Sequence, residues 1–168
     1  MKTAAILLSA ILAVSCQTPF RSGFSEGLQS PVESAPIKRG TAHFEELDKL
    51  TWPVKSGRVS QYFVNGDHWG IDIAAPKGTR IYAAHSGRVI YAGRGFRGYG
   101  KFIILESGNL ATFYSHCNKL FVRQGQWVER GQLIGHVGRT GNATGPHLHF
   151  EVRRNRLPID PLAHLPLN

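Results

Sequence analysis

The sequence is poor in cysteine, in charged side chains and in long hydrophobic stretches. Its 168 residues include two Cys, too few for a disulfide framework or a four-cysteine zinc site. The apolar run at residues 4–14 is too short to span a bilayer, which takes about 20 residues. Charged residues make up only 18% of the chain, but an apolar share of 42% excludes a wholly disordered protein. The length allows one main domain.

The charge that is present is mostly positive. Twenty Lys and Arg face 11 Asp and Glu, which gives a formal net charge of +9. Such a balance favours an anionic partner, either a nucleic acid, a membrane surface or an acidic polymer; the alternative is a solvated basic surface with no partner. The arginines are scattered and form no basic run, so the sequence predicts no nucleic-acid partner.

The first residues have the composition of an export signal. Lys2 precedes the apolar run, and Ser15 and Cys16 follow it directly. This end resembles the lipobox of bacterial lipoproteins, which implies cleavage before Cys16, lipidation of Cys16 and a membrane anchor. Gln17 in place of Asp implies an outer-membrane location facing the periplasm. The alternative is an ordinary signal peptide with an incidental cysteine.

Three segments are predicted: a signal peptide over 1–15, a lipidated tether with a short helix over 16–51, and a folded domain over 52–168. Residues 17–40 are rich in Ser, Gly, Pro and Gln without periodicity, as in a flexible linker. Residues 43–50 place apolar side chains on one helical face behind Thr41, a suitable N-cap.

The folded part is predicted to be all-β, an antiparallel sandwich or a barrel-sandwich hybrid. Short β-rich runs alternate with turns that contain many of the 19 glycines. The predicted strands are 80–83, 88–92, 101–106, 110–115, 132–137 and 146–152.

One predicted strand carries two histidines. Leu148, Phe150 and Val152 alternate with polar residues, so His147 and His149 share the opposite face. Two imidazoles at this spacing can meet one metal ion, or one can bind the ion while the other acts on a substrate. The alternative is a solvated polar face.

His68 and Asp72 form a second candidate pair. Ile71 and Ile73 flank Asp72 as in a strand, and a fully extended chain would hold residues 68 and 72 too far apart for one ion. A metal site here therefore requires a bend at Gly70. A loop histidine and an aspartate that caps a turn are the alternative, and His116 at the end of another strand is uninformative by itself.

Together these elements resemble the lysostaphin-type zinc endopeptidases of family M23. The resemblance covers about residues 52–165 and rests on His-x-Gly-x-Asp at 68–72, Tyr-Ser-His at 114–116 and the Thr-Gly-Pro-His-Leu-His-Phe-Glu segment at 144–151. It implies one Zn²⁺ held by His68, Asp72 and His149, catalysis by His116 and His147 without assigned individual roles, and support of the transition state by Tyr62.

The implied activity is cleavage of peptide cross-links in bacterial peptidoglycan. Three protein ligands leave a fourth position open, as in catalytic zinc sites. The C-terminal half also resembles the amidase-activator branch of the family, whose members have lost metal ligands; this alternative implies a cell-wall amidase or another division protein as partner. All five key residues are present, which favours an active enzyme.

Two further side chains have local interpretations. Cys117 has no disulfide partner once Cys16 is lipidated, so it is predicted to be a buried small apolar residue; a nucleophile beside His116 is the alternative. Glu151 shares the face of the two strand histidines and is a candidate to support a ligand.

Overall fold

Eleven β-strands and one short 3₁₀ helix make up the regular structure of residues 50–167, the part of the chain that the computed structural model describes. The strands are β1 Arg58–Gln61, β2 Ile71–Ala74, β3 Arg80–Tyr82, β4 Gly87–Arg94, β5 Lys101–Ser107, β6 Leu110–Ser115, β7 Cys117–Leu120, β8 Trp127–Val128, β9 Leu133–Val137, β10 His147–Arg154 and β11 Leu157–Ile159. The 3₁₀ helix is Pro161–Ala163. The all-β prediction is thereby confirmed.

The strands form two antiparallel sheets. The larger has eight strands in the order β1-β2-β10-β6-β5-β4-β8, and β11 pairs with the far end of β10. The smaller sheet has the order β3-β9-β7. Both sheets contribute to one apolar core, which includes Ile81 and Ile134 of the smaller sheet and Phe150 of the larger. The predicted sandwich of antiparallel sheets is present.

Strand β10 is central in the larger sheet and has two different faces. Leu148, Phe150 and Val152 are fully buried in the core, as their alternation predicts. His147 and His149 point to the opposite face and stay partly accessible. The strand begins at His147, directly after Pro146, because proline cannot donate a ladder hydrogen bond.

The two ends of the described domain lie together. The indole Nε1 of Trp52 donates a hydrogen bond to the carbonyl oxygen of Pro166 at 2.9 Å. Leu50 and Leu165 are both buried in the core near this contact. The terminal segments therefore contribute to the packing of the domain.

Several predictions concern residues that precede the described part of the chain. The signal peptide, the lipidation of Cys16, the tether and nearly all of the helix over 43–50 lie outside the described residues; Leu50 itself is in no helix. Within residues 50–167, no helix has the length and hydrophobicity needed to cross a membrane.

Candidate metal centre

Strand pairing brings the predicted site residues together from distant parts of the chain. On one side of β10, His149 lies opposite Asp72 of β2, and on the other side it lies opposite Ser115 of β6. His116 directly follows β6. The larger sheet thus places Asp72, His116, His147 and His149 at one end of the same face.

His68 reaches this cluster through a bend at Gly70. A Cβ built on Gly70 would lie 2.3 Å from the carbonyl oxygen of Phe150, far inside van der Waals contact. Only glycine lets the chain pass this close to β10. The bend that the sequence requires at Gly70 is present, and it turns His68 back toward Asp72.

Three ligand atoms converge in this cluster. The Nε2 of His68 lies 3.3 Å from Oδ1 of Asp72 and 3.2 Å from Nδ1 of His149. The Nδ1 of His149 lies 2.8 Å from the same Oδ1. Zinc bonds of about 2.0–2.1 Å in a tetrahedral arrangement place ligand atoms about 3.4 Å apart. The three groups therefore suit one zinc-sized cation and a fourth ligand.

Each of the two imidazoles in this triad is fixed through its other ring nitrogen. Nδ1 of His68 lies 2.8 Å from the carbonyl oxygen of Tyr62, and Nε2 of His149 lies 3.1 Å from a carboxylate oxygen of Glu151. Carbonyl and carboxylate oxygens can only accept, so these nitrogens must be the donors. A bound cation would displace any proton from the nitrogens that face Asp72, and these nitrogens would then offer their lone pairs to the metal.

The other two histidines are oriented in the same way. Nδ1 of His116 donates to the carbonyl oxygen of Thr140 at 2.7 Å, and Nδ1 of His147 donates to that of Gly145 at 3.0 Å. Their ring centroids are 4.6 Å apart, and Nε2 of His147 lies 3.5 Å from Oδ2 of Asp72. His116 has a φ of 61°, an uncommon conformation for a residue other than glycine.

The charges around His149 stabilise a positive centre. Burial alone would lower the pKa of His149, but its hydrogen bonds to Asp72 and Glu151 outweigh burial and raise the pKa to about 9. Burial likewise opposes ionisation of Asp72, yet the neighbouring imidazoles hold its pKa below the usual value. Two carboxylates flanking one imidazole favour a bound proton or a bound cation at this position.

His116 has the opposite environment. Burial lowers the pKa of its imidazole, and the carbonyl oxygen of Thr140 offsets this only in part. The ring is therefore neutral at pH 7, with Nε2 free to accept a proton.

A solvent-open cleft of about 610 Å³ gives access to the cluster. Besides the site residues, its walls include Gln61, Trp69, Asn142 and Thr144. Tyr62 contacts the site through its carbonyl oxygen, while its side chain is 61% exposed.

Sequence reasoning missed several residues that orient the histidines. Thr140 holds His116, and its hydroxyl also donates to the carbonyl oxygen of Cys117 at 3.0 Å. Tyr99 donates to Glu151 at 2.7 Å and accepts, through its carbonyl oxygen, the backbone N–H of His116. Thr140 lies in the Thr-Gly pair before the histidine strand and Tyr99 in a Gly-Tyr-Gly triplet, which mark turns but predict no partner.

Cys117 is fully buried, and burial raises the pKa of its thiol to about 12. Its sulfur lies 3.3 Å from the carbonyl oxygen of Tyr114. A buried thiol with a raised pKa is a poor nucleophile, in agreement with the interpretation as a core residue.

Comparisons with known proteins agree on the family. The family model described as Peptidase family M23 matches residues 66–161. A lipoprotein NlpD/LppB homolog of Pseudomonas aeruginosa is 39% identical over 139 residues, which cover 82% of this chain and 43% of the relative. The murein hydrolase activator NlpD of Escherichia coli K12 is 41% identical over 118 residues, covering 68% of this chain and 31% of the activator. The chain thus spans less than half the length of these curated relatives.

Solved structures show the same similarity. A zinc-containing peptidase from Vibrio cholerae superposes with a TM-score of 0.57 at 33% identity, covering 71% of this chain and 40% of that one. The catalytic domain of the antimicrobial peptidase lysostaphin from Staphylococcus simulans superposes with a TM-score of 0.55 at 32% identity, covering 64% of this chain and 87% of that one.

Proposed function

The chain belongs to peptidase family M23, and on that premise we propose that it is a zinc-dependent metalloendopeptidase that cleaves peptide cross-links of bacterial peptidoglycan. One observation carries the proposal: His68, Asp72 and His149 offer three ligand atoms at near-tetrahedral spacing, with the further imidazoles of His116 and His147 beside them. A merely structural cluster has no need of two additional oriented histidines.

The metal ligands are Nε2 of His68, Oδ1 of Asp72 and Nδ1 of His149. Bound zinc supplies Lewis acidity toward a peptide carbonyl and lowers the pKa of water. The protein holds the two imidazole nitrogens in place through the hydrogen bonds that His68 and His149 make behind the site.

His116 and His147 handle protons and developing charge. His116 is neutral at pH 7 and its Nδ1–H is engaged by Thr140, so Nε2 is placed to take a proton or to receive a hydrogen bond. The Nδ1–H of His147 is engaged by the carbonyl oxygen of Gly145, so its Nε2 is placed for the same tasks beside His116. Each can either transfer the proton to the leaving amine or stabilise the oxyanion. Tyr62 is proposed to support the transition state with its hydroxyl.

Charge and relatives support the proposed substrate and location. A net charge of +9 favours attraction to the carboxylates of the cell wall. Relatives named as lipoproteins support lipidation of Cys16 and a cell-envelope location, in the outer membrane facing the periplasm.

A second candidate function is activation of another wall hydrolase. The observation that favours it is that the curated relatives include proteins named murein hydrolase activators. In this alternative the cleft, or another surface, would bind a cell-wall amidase and no peptide bond would be cut.

Purified protein incubated with peptidoglycan fragments distinguishes the two functions. The substrate is a set of cross-linked muropeptides, the soluble fragments obtained when the glycan strands of peptidoglycan are cut. We expect the release of monomeric muropeptides whose masses show a hydrolysed peptide cross-link. A chelator and His149→Ala should each abolish their release, and zinc should restore the chelated protein. His164→Ala, a histidine outside the cleft, is the matched control. Release that persists in the His149→Ala protein would refute the zinc mechanism, and stimulation of an amidase without intrinsic cleavage would establish the activator.

A further inference from the structure

Glu151 is a carboxylate with no solvent exposure, located two residues after His149 on β10. Its Oε1 accepts hydrogen bonds from His149 Nε2 at 3.1 Å and from the Tyr99 hydroxyl at 2.7 Å. Its Oε2 accepts two from the guanidinium of Arg153, at 2.8 and 2.6 Å. Both oxygens of this buried carboxylate therefore accept hydrogen bonds from named side chains.

Burying a carboxylate carries a desolvation penalty, and apolar residues of similar volume can replace buried ion pairs without loss of stability. Stability alone therefore does not explain Glu151. Its partners make the charge tolerable: Arg153 balances it and is itself placed over the Phe113 ring, with the guanidinium carbon 4.4 Å from the ring centroid. The carboxylate is thus held by Tyr99 and Arg153 and directed at one nitrogen of His149.

Tyr99 connects this support to the second half of the site. Its ring packs near Phe102 and Phe113, with centroids 5.4 and 6.5 Å away, which anchors the loop before β5. Its hydroxyl engages Glu151, and its carbonyl oxygen accepts the backbone N–H of His116 at 2.9 Å. The same residue therefore fixes the position of His116 relative to His149.

We infer that Glu151 is a positioning residue for the metal ligand His149 and that Arg153 and Tyr99 hold Glu151 for this purpose. When an ion is bound and the ring carries a single proton, the Glu151 carboxylate keeps that proton on Nε2, which leaves the Nδ1 lone pair for the ion. Without it the ring can take the other tautomer or rotate, and Nδ1 is lost as a ligand for part of the time. The inference rests on the metal site of the proposed function, but it concerns metal affinity and not hydrolysis.

The test measures Zn²⁺ affinity by competition with a chromophoric chelator, using the full chain with Cys16→Ser so that the thiol of Cys16 does not bind the ion. Glu151→Gln keeps the shape of the side chain and removes the charge; we expect its Zn²⁺ dissociation constant to rise about 10- to 100-fold. Tyr99→Phe removes one hydroxyl and should raise the Zn²⁺ dissociation constant by about 2- to 10-fold. The matched control is Glu106→Gln, an exposed glutamate on β5, which should leave the affinity unchanged.

A purely structural role is distinguished by two further measurements. The visible spectrum of the Co²⁺-loaded protein should change in Glu151→Gln and not in Glu106→Gln, because the geometry of a ligand changes. Adding Arg153→Met to Glu151→Gln removes the unmatched cation and should restore thermal stability while affinity stays low. The inference would be overturned if the double variant regained Zn²⁺ affinity together with stability, or if Glu151→Gln had wild-type affinity. Either result would leave the proposed zinc-dependent function unaffected. Failure of the parent Cys16→Ser protein to bind Zn²⁺ would overturn the proposed function itself.

Discussion

The narrow passage of the chain at Gly70 leads to the most demanding prediction. In Gly70→Ala, the new methyl group would lie 2.3 Å from the carbonyl oxygen of Phe150 and 2.9 Å from its carbonyl carbon. An ordinary carbon–oxygen contact is about 3.4 Å, so one side must move by about 1 Å. Phe150 is paired with β2 on one side and with β6 on the other, and its side chain is fully buried. The segment around Gly70 must therefore be the part that moves.

The displacement has two separate effects. Overpacking of this kind lowers the free energy of unfolding by about 1–3 kcal/mol. With a chelator present, so that bound metal does not contribute, this loss should appear as a lower urea midpoint. A shift of about 1 Å also moves His68 away from the other two ligands, and sites need placement within about 0.5 Å. We expect the Zn²⁺ dissociation constant to rise at least about 10- to 100-fold, equivalent to about 1.4–2.7 kcal/mol.

Gly78→Ala is the matched control for this experiment. Gly78 has a φ of +93° and open space around a Cβ, so alanine there is strained by its backbone alone. A loss of about 1–2 kcal/mol is expected without any change in Zn²⁺ affinity, because Gly78 lies in the turn before β3 of the smaller sheet. If Gly70→Ala matches the parent protein in both urea midpoint and affinity, the close passage over β10 is not what places His68.

Three other predictions concern the core. Tyr114→Phe removes a buried hydroxyl that accepts the Ala84 N–H at 2.8 Å, so urea unfolding should show a loss of about 1–3 kcal/mol; an unchanged midpoint would contradict this. In a Cys16→Ser chain, Cys117 should react with a thiol reagent only after denaturation, because burial raises its pKa to about 12; fast labelling of the folded protein would be contrary to expectation. Burial lowers the pKa of His85, so the folded state favours the neutral ring. The contribution of the neutral ring to the free energy of unfolding is complete above the unfolded pKa of 6.5 and declines as the pH falls below it. The free energy of unfolding should therefore fall more steeply from pH 7 to pH 5 in the parent protein than in His85→Gln, and equal slopes would refute the assignment.

Local patterns were sufficient for much of the fold. The alternation of Leu148, Phe150 and Val152 predicts β10 and its buried face, and the strand over 110–115 coincides with β6. Strands β8 and β11 have two and three residues and make their ladders only in the context of β4 and β10. Such short segments have no period of their own, so their assignment depends on long-range pairing.

The candidate site was predictable to a different degree. The residue types at 68, 72, 116, 147 and 149 predict a metal site through their resemblance to a family, whereas their convergence depends on the pairing of β10 with β2 and β6. Three of the histidines are oriented by backbone carbonyl oxygens, those of Tyr62, Thr140 and Gly145. The identity of a side chain does not indicate which group its backbone oxygen contacts. Tyr99 reaches Glu151 from a loop 52 residues away, a contact that only the folded structure reveals.

The two faces of β10 separate the candidate site from the core. A substitution at His147 or His149 changes a side chain that points away from the core, so the candidate site can be altered while the apolar face of the strand is kept. A one-residue deletion within the strand instead exchanges the faces and disrupts the site and the core together. In a domain with this architecture, loss of a site residue and loss of the fold therefore require different kinds of mutation.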